Sequence, residues 1–185
     1  ISKKVRDDVI KGRFSDDKIT QVVKKIQGAG INVAGNFIFG LPEDDFDSMK
    51  LNLDYCMSLE LDMANLYSAM AYPGSQLHRS ALQEGIELPD SWLGYSQHSF
   101  ECKPLSTNYI DSSQVLAFRD KAWQAFHTDP AYLGRMEAKF GAEVGQHLRE
   151  MTQYVLPRKN AAPTLQQEFS YPHFNSADYL IPNTK

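Results

Sequence analysis

Cysteine is scarce in this 185-residue chain: there are two, Cys56 and Cys102. Far apart in sequence, they make neither a CxxC zinc motif nor a disulfide framework, and in a reducing compartment they read as core filler. Long apolar runs are also missing. No stretch approaches the roughly 20 residues that span a bilayer, and the opening ISKKVRDDVIKGRF has no apolar signal-peptide core, so a cytoplasmic location is expected. Basic residues are outnumbered: 19 Lys and Arg against 23 Asp and Glu give a net charge of -4. That balance offers no broad basic surface for phosphates and disfavours a nucleic-acid partner. The five histidines, at 78, 98, 127, 147 and 173, show no HExxH or other ligand spacing and read as surface or internally satisfied residues. Neither a repeat nor a low-complexity tract is present.

What is there is enough for one core: 42% of the residues are hydrophobic, which suits one globular domain or a piece of one. The chain opens on Ile1, with Val5, Val9 and Ile10 at near-helical spacing and no preceding cap, so an excised piece of a longer protein is expected. Ser15 reads as an N-cap with Asp16 and Asp17 in the first turn. Ile19, Val22, Val23 and Ile26 then repeat at helical spacing before Gly28-Ala29-Gly30. Residues 31 to 39 are a short, nearly continuous apolar run, which suits a parallel strand covered on both faces. A helix with Phe46, Met49, Leu53 and Met57 on one side follows, then a strand over 63 to 71 and a helix over 74 to 84. The two strands start about 32 residues apart, the length of a βαβ crossover, and predict an α/β architecture with parallel strands.

Residues 86 to 110 are aromatic, polar and aperiodic, and read as a lid or a surface wrap. Helical spacing returns from a Ser112 cap through Val115, Phe118, Ala122 and Phe126. It continues after Asp129-Pro130 with Leu133, Met136 and Phe140, and again over Val144, Leu148, Met151 and Val155. Three sections are therefore expected: 1–85, the βα units; 86–157, the irregular segment and a helical extension; and 158–185, a tail that is poorly structured or docked on the surface.

The stretch GNFIFGLPEDD, residues 35 to 45, is the chemical centre of the reading. Gly35 to Gly40 fits neither a Walker loop nor GxGxxG, and Glu43, Asp44, Asp45 and Asp47 would repel a phosphate at the helix end where one should bind. The same acids suit the positive end of the helix dipole. In a parallel sheet ligands sit beyond the carboxyl ends of the strands, so Ile38, Phe39 and Gly40 lie at the expected rim, and Ile38 offers an apolar face to stack on. Asn36, an amide in an apolar strand, calls for a hydrogen bond, either to a neighbouring strand or to a ligand. Tyr72-Pro73-Gly74-Ser75 closes the next strand as a turn at the same end of the sheet.

Lys11-Gly12, AGINVAGNFIFGLPEDDFDSM at 29–49 and AMAYPGSQL at 69–77 together resemble the second half of a radical S-adenosylmethionine enzyme, in the group often joined to a cobalamin-binding domain. The family's wording is close to GLPGET, then Tyr-Pro-Gly-Thr one strand later. Here Glu43, Asp44, Asp45 and Ser75 stand where the family has Gly, Glu, Thr and Thr. The aromatic helix at 115–136 also looks like the segment that follows the barrel. The resemblance, over roughly residues 1 to 140, implies the C-terminal part of a partial TIM-like (β/α)6 barrel followed by an α-helical extension. It implies an adenine wall made by Asn36, Ile38, Phe39 and Gly40 on one strand and by Ala71 and Tyr72 on the next, with Asn65 and Tyr67 facing a small-molecule substrate. It also implies S-adenosylmethionine and a [4Fe-4S] cluster as cofactors of the intact protein, and leaves cobalamin open. The CxxxCxxC loop that would hold the cluster is absent, so the resemblance makes the missing N-terminal half of the barrel this chain's partner. The rival expectation is a non-catalytic α/β interaction module. Either reading allows self-association through exposed strand edges.

Overall fold

The computed structural model describes residues 16–166. The Val5, Val9 and Ile10 spacing, Lys11-Gly12, the Ser15 cap and the tail from 167 to 185, His173 included, lie outside the described residues. In chain order the elements are α1 (Asp16–Gly28), β1 (Ala34–Phe39), α2 (Phe46–Ser58), β2 (Met63–Ser68), α3 (Gln76–Gln83), a 3-10 turn (Trp92–Tyr95), α4 (Ser112–Thr128), α5 (Pro130–Phe140) and α6 (Ala142–Thr152). β1 and β2 pair in parallel, from Ala34 against Met63 to Phe39 against Ser68. The expected α/β class with parallel strands is present.

Both strands are shorter than their apolar runs, and side chains hold the backbone at their ends. Before β1, the Val33 N–H donates to Asp62 Oδ2 at 2.8 Å. At the end of β2, the Gln97 amide engages both peptide groups of Ser68, accepting from N at 3.0 Å and donating to O at 2.8 Å. The helix expected to be capped by Ser112 is capped by Asp111, whose carboxylate accepts from the N–H groups of Ser113 and Gln114. An aspartate one residue earlier does the same work, with a charge that favours the helix N-terminus.

The expectation of a strand covered on both faces is corrected. Phe37, Phe39, Ala64 and Leu66 point into a core shared with Met49, Leu53 and Cys56 of α2 and with Val115, Phe118, Ala122 and Phe126 of α4. Phe39 meets Phe118 edge-on, their centroids 5.2 Å apart. On the other face, Ala34, Ile38 and Met63 are exposed, and no described helix covers them. Alternation along a strand sends successive side chains to opposite faces, so Asn36, Asn65 and Tyr67 share this open face.

The core runs past residue 85: Leu165 belongs to it as well. Residues 158–166, the start of the tail expected to be either unstructured or docked on the surface, are held against the body. Lys159 N donates to Phe100 O, Ala162 N to Ser113 O, and the Gln114 amide bonds both Thr164 O and Gln166 N.

His127 is buried, with Nδ1 2.8 Å from Trp123 O and its ring between those of Trp123, Phe126 and Tyr132. Burial pushes its pKa down from 6.5 to about 4, against the raising effect of the Trp123 carbonyl. The folded state therefore binds fewer protons than the unfolded one between these values, and stability falls as pH drops from 6.5 towards 4. The loss amounts to about 3 kcal/mol once both states are protonated. Urea unfolding across this range should show that acid limb in the wild type, and a much shallower one in His127→Phe.

Candidate functional site

Because the strands are parallel and in register, the chain leaves both at the same end of the sheet, towards the turns at Gly40 and Gly74. Asn36 and Asn65 are register partners, and Asn65 Nδ2 donates to Asn36 Oδ1 at 2.9 Å. The cross-strand contact is thus the reading of Asn36 that the structure contains. It engages one donor and one acceptor of the two amides. Beside this pair, Ile38 is 45% exposed and stands opposite Tyr67.

Phe39 has no exposed surface, so its side chain belongs to the core and only its backbone borders the rim. Gly40 is required for a reason other than ligand approach. Its φ is +80°, and a Cβ there would lie 2.3 Å from Val115 Cγ1. The missing side chain admits helix α4.

The acids after Pro42 divide their work. Asp44 is buried and accepts from Gly40 N at 3.1 Å, Leu41 N at 3.0 Å and Ser48 Oγ at 2.8 Å. Burial raises its pKa above the usual carboxylate value despite these donors. Asp45 caps α2 in a reciprocal box with Ser48. Asp44 was expected to act through the helix dipole; it is instead the brace of the turn.

Ala71 is 3% exposed and packs with Ala81 and Leu105. Among the described residues, neither its N–H nor its C=O makes a hydrogen bond. Tyr72, the next residue, is 48% exposed and lies 6.1 Å from Tyr95, which in turn lies 5.9 Å from Trp92. The segment 86–110 is a wrap with fixed contacts along the strand ends. Leu105 N donates to Ala69 O, and Asn108 N to Pro42 O, while the Asn108 amide bonds Glu43.

The structure therefore brings Asn36, Ile38, Asn65 and Tyr67 together on one face; Gly40 directly follows β1, and Ala71 and Tyr72 come three and four residues after the end of β2. Reasoning from sequence missed Asp44 as a brace, Asn52, whose amide holds Ile38 O at 3.0 Å, and Gln97. Only Asp44 carried a signal, its place four residues after Gly40. The strand edges are also unequal. Gln97 and Leu105 occupy β2 at Ser68 and Ala69, and Arg119 Nε donates to Leu66 O at 2.7 Å.

Among the described residues, no group of three or more His, Cys, Asp or Glu could hold a metal ion, and no helix is long and apolar enough to cross a membrane. Cys56 and Cys102 are fully buried, and burial pushes their thiols up to about 12 and about 11. Thiolates, the form that binds iron, are disfavoured at both positions.

No family model matches the chain. It is distantly similar to methyltransferases. An uncharacterized methyltransferase of Pyrococcus horikoshii is 24% identical over 111 residues, covering 60% of this chain and 24% of that protein. The bacteriochlorophyllide d C-8(2)-methyltransferase of Chlorobaculum tepidum is 23% identical over 82 residues, covering 44% of this chain and 18% of that protein. The chain thus matches about a quarter or less of the length of these two relatives.

Proposed function

We propose that this chain is the C-terminal part of an S-adenosylmethionine-dependent enzyme that transfers a methyl group, with the rim of β1 and β2 as its adenine wall. The observation that carries the reading is the buried peptide of Ala71, which has no hydrogen-bond partner among the described residues. Buried peptide groups are almost always hydrogen-bonded, and an adenine edge offers a matching donor and acceptor. Ile38 would supply the apolar surface under the ring, with Asn36 beside it in the adenine wall, and Asn65 and Tyr67 would face the substrate. The two methyltransferase relatives support the reaction class.

The finer reading is a radical S-adenosylmethionine enzyme of the cobalamin-associated group, its partial barrel completed by strands that precede this chain. The motifs at 35–49 and 69–77 support it. The residues described here do not fit an iron–sulfur cluster, since both cysteines are buried and disfavour the thiolate. In this reading the cluster, and any cobalamin, belong to the rest of the polypeptide. Part of the outer edge of β2 is already occupied by Gln97, Arg119 and Leu105, which favours β1 as the side on which further strands join.

The test uses the full-length polypeptide, prepared without oxygen. It should contain iron and sulfide and consume S-adenosylmethionine, whereas residues 1–185 alone should retain no iron. Ile38→Asp in the full-length protein should raise KM for S-adenosylmethionine about tenfold or more with iron content unchanged, as expected for a charge set against a stacked ring. Full-length protein that neither binds nor consumes S-adenosylmethionine refutes the methyl-transfer reading. Consumption without iron refutes only the radical version.

A further inference from the structure

A closed ring of hydrogen bonds lies on the outer edge of β2, away from the open face. Arg119 Nε donates to Leu66 O at 2.7 Å and its Nη1 to Asp120 Oδ1 at 2.7 Å. Arg158 grips the same carboxylate, Nε to Oδ2 and Nη2 to Oδ1, both at 2.9 Å. Arg158 also donates to Gln97 O at 2.9 Å and Ser99 O at 2.8 Å, and the Gln97 amide returns to Ser68. The ring thus joins β2, α4, the 97–99 segment and the segment after α6.

Three features of the ring are out of balance. Its charges are two guanidinium groups against one carboxylate, a net positive charge with the Arg side chains only 4% and 1% exposed. Arg119 has five N–H groups and uses two of them; the other three meet no partner among the described residues. Ser68 Oγ is buried and has no hydrogen-bond partner either. His98, exposed and next in the chain to Gln97, is held below its usual pKa by burial and then by Arg119 and Arg158. A guanidinium in a ring of net positive charge, with three donors left over and the orphan hydroxyl of Ser68 two residues along the strand from its Leu66 contact, is the complement of an oxyanion.

We propose that this ring is an anion-binding site. It takes a carboxylate or phosphoryl group of a small ligand against Arg119, with Ser68 Oγ as a second donor and His98, next in the chain to Gln97, at its side. The site is independent of the adenine wall, because it lies on the strand edge and uses none of the rim residues.

Thermal unfolding of the chain with added inorganic phosphate, against chloride at equal ionic strength, tests it. Phosphate should raise Tm in a saturable way, as a ligand of the folded state does. Ser68→Ala and His98→Ala should fold with a Tm close to wild type in chloride, and each should weaken the apparent phosphate affinity by about tenfold, one charge-assisted hydrogen bond. The His98 ring protons, followed by NMR, should report a higher pKa when phosphate is bound. Acetate acting like phosphate assigns a carboxylate ligand; phosphate acting alone assigns a phosphoryl group. A Tm that follows ionic strength equally in both salts, or variants that respond to phosphate as wild type does, would overturn the proposal, the first by showing no specific anion binding and the second by placing it elsewhere.

Discussion

Asp120→Ala is expected to destabilise the protein by about 3–5 kcal/mol, the cost of leaving buried charge without its partner. Asp120 is itself 28% exposed, but both guanidinium groups it neutralises are almost fully covered. Without the carboxylate, Arg119 and Arg158 would face each other at close range in a medium of low polarity. The loss should appear as a lower urea midpoint with an unchanged m-value. Combining Asp120→Ala with Arg158→Met should cost less than the sum of the single changes, since the second removes one of the stranded charges. Strict additivity in that cycle would show that the ring does not act as a unit.

Gly40→Ala is expected to cost about 2–4 kcal/mol, from overpacking together with strain. The new Cβ would lie 2.3 Å from Val115 Cγ1, and the φ of +80° is one that side chains resist. Val115 is itself fully buried, so it has no empty space into which to retreat. Gly40→Ala with Val115→Ala should recover the contact part of the loss and not the backbone part, a coupling of about 1 kcal/mol or more in a double-mutant cycle. A variant as stable as wild type would mean that the rim turn adapts, and that Gly40 is dispensable for docking α4.

Both predictions concern residues whose importance was only half legible. Gly40 stood out in sequence as the end of an apolar run before Leu-Pro, and its place at the rim followed from parallel-sheet geometry. The partner that makes it indispensable, Val115, lies in a helix 75 positions later, and nothing local joins the two. Asp120 drew no attention at all. It sits in an amphipathic helix where an acid is ordinary, and Arg158 lay in a segment for which no specific partner could be read. Asn36 shows the intermediate case. Its need for a hydrogen bond was readable from one amide in an apolar strand, but the choice of Asn65 depended on register.

The amino-acid sequence by itself determined the order of helices and strands, the parallel pairing of the two strands, and the end of the sheet at which both turns gather. Those features rest on hydrophobic period, capping residues and crossover length, which act over a few tens of residues at most. Tertiary structure alone decided that one sheet face stays open, that Asp44 turns inward to brace the rim, and that Gln97, Arg119 and Arg158 close the edge of β2. Each of the latter is a bond between groups distant along the chain. Its energy comes from burying polar atoms beside specific partners, and such partners are chosen only when the chain packs.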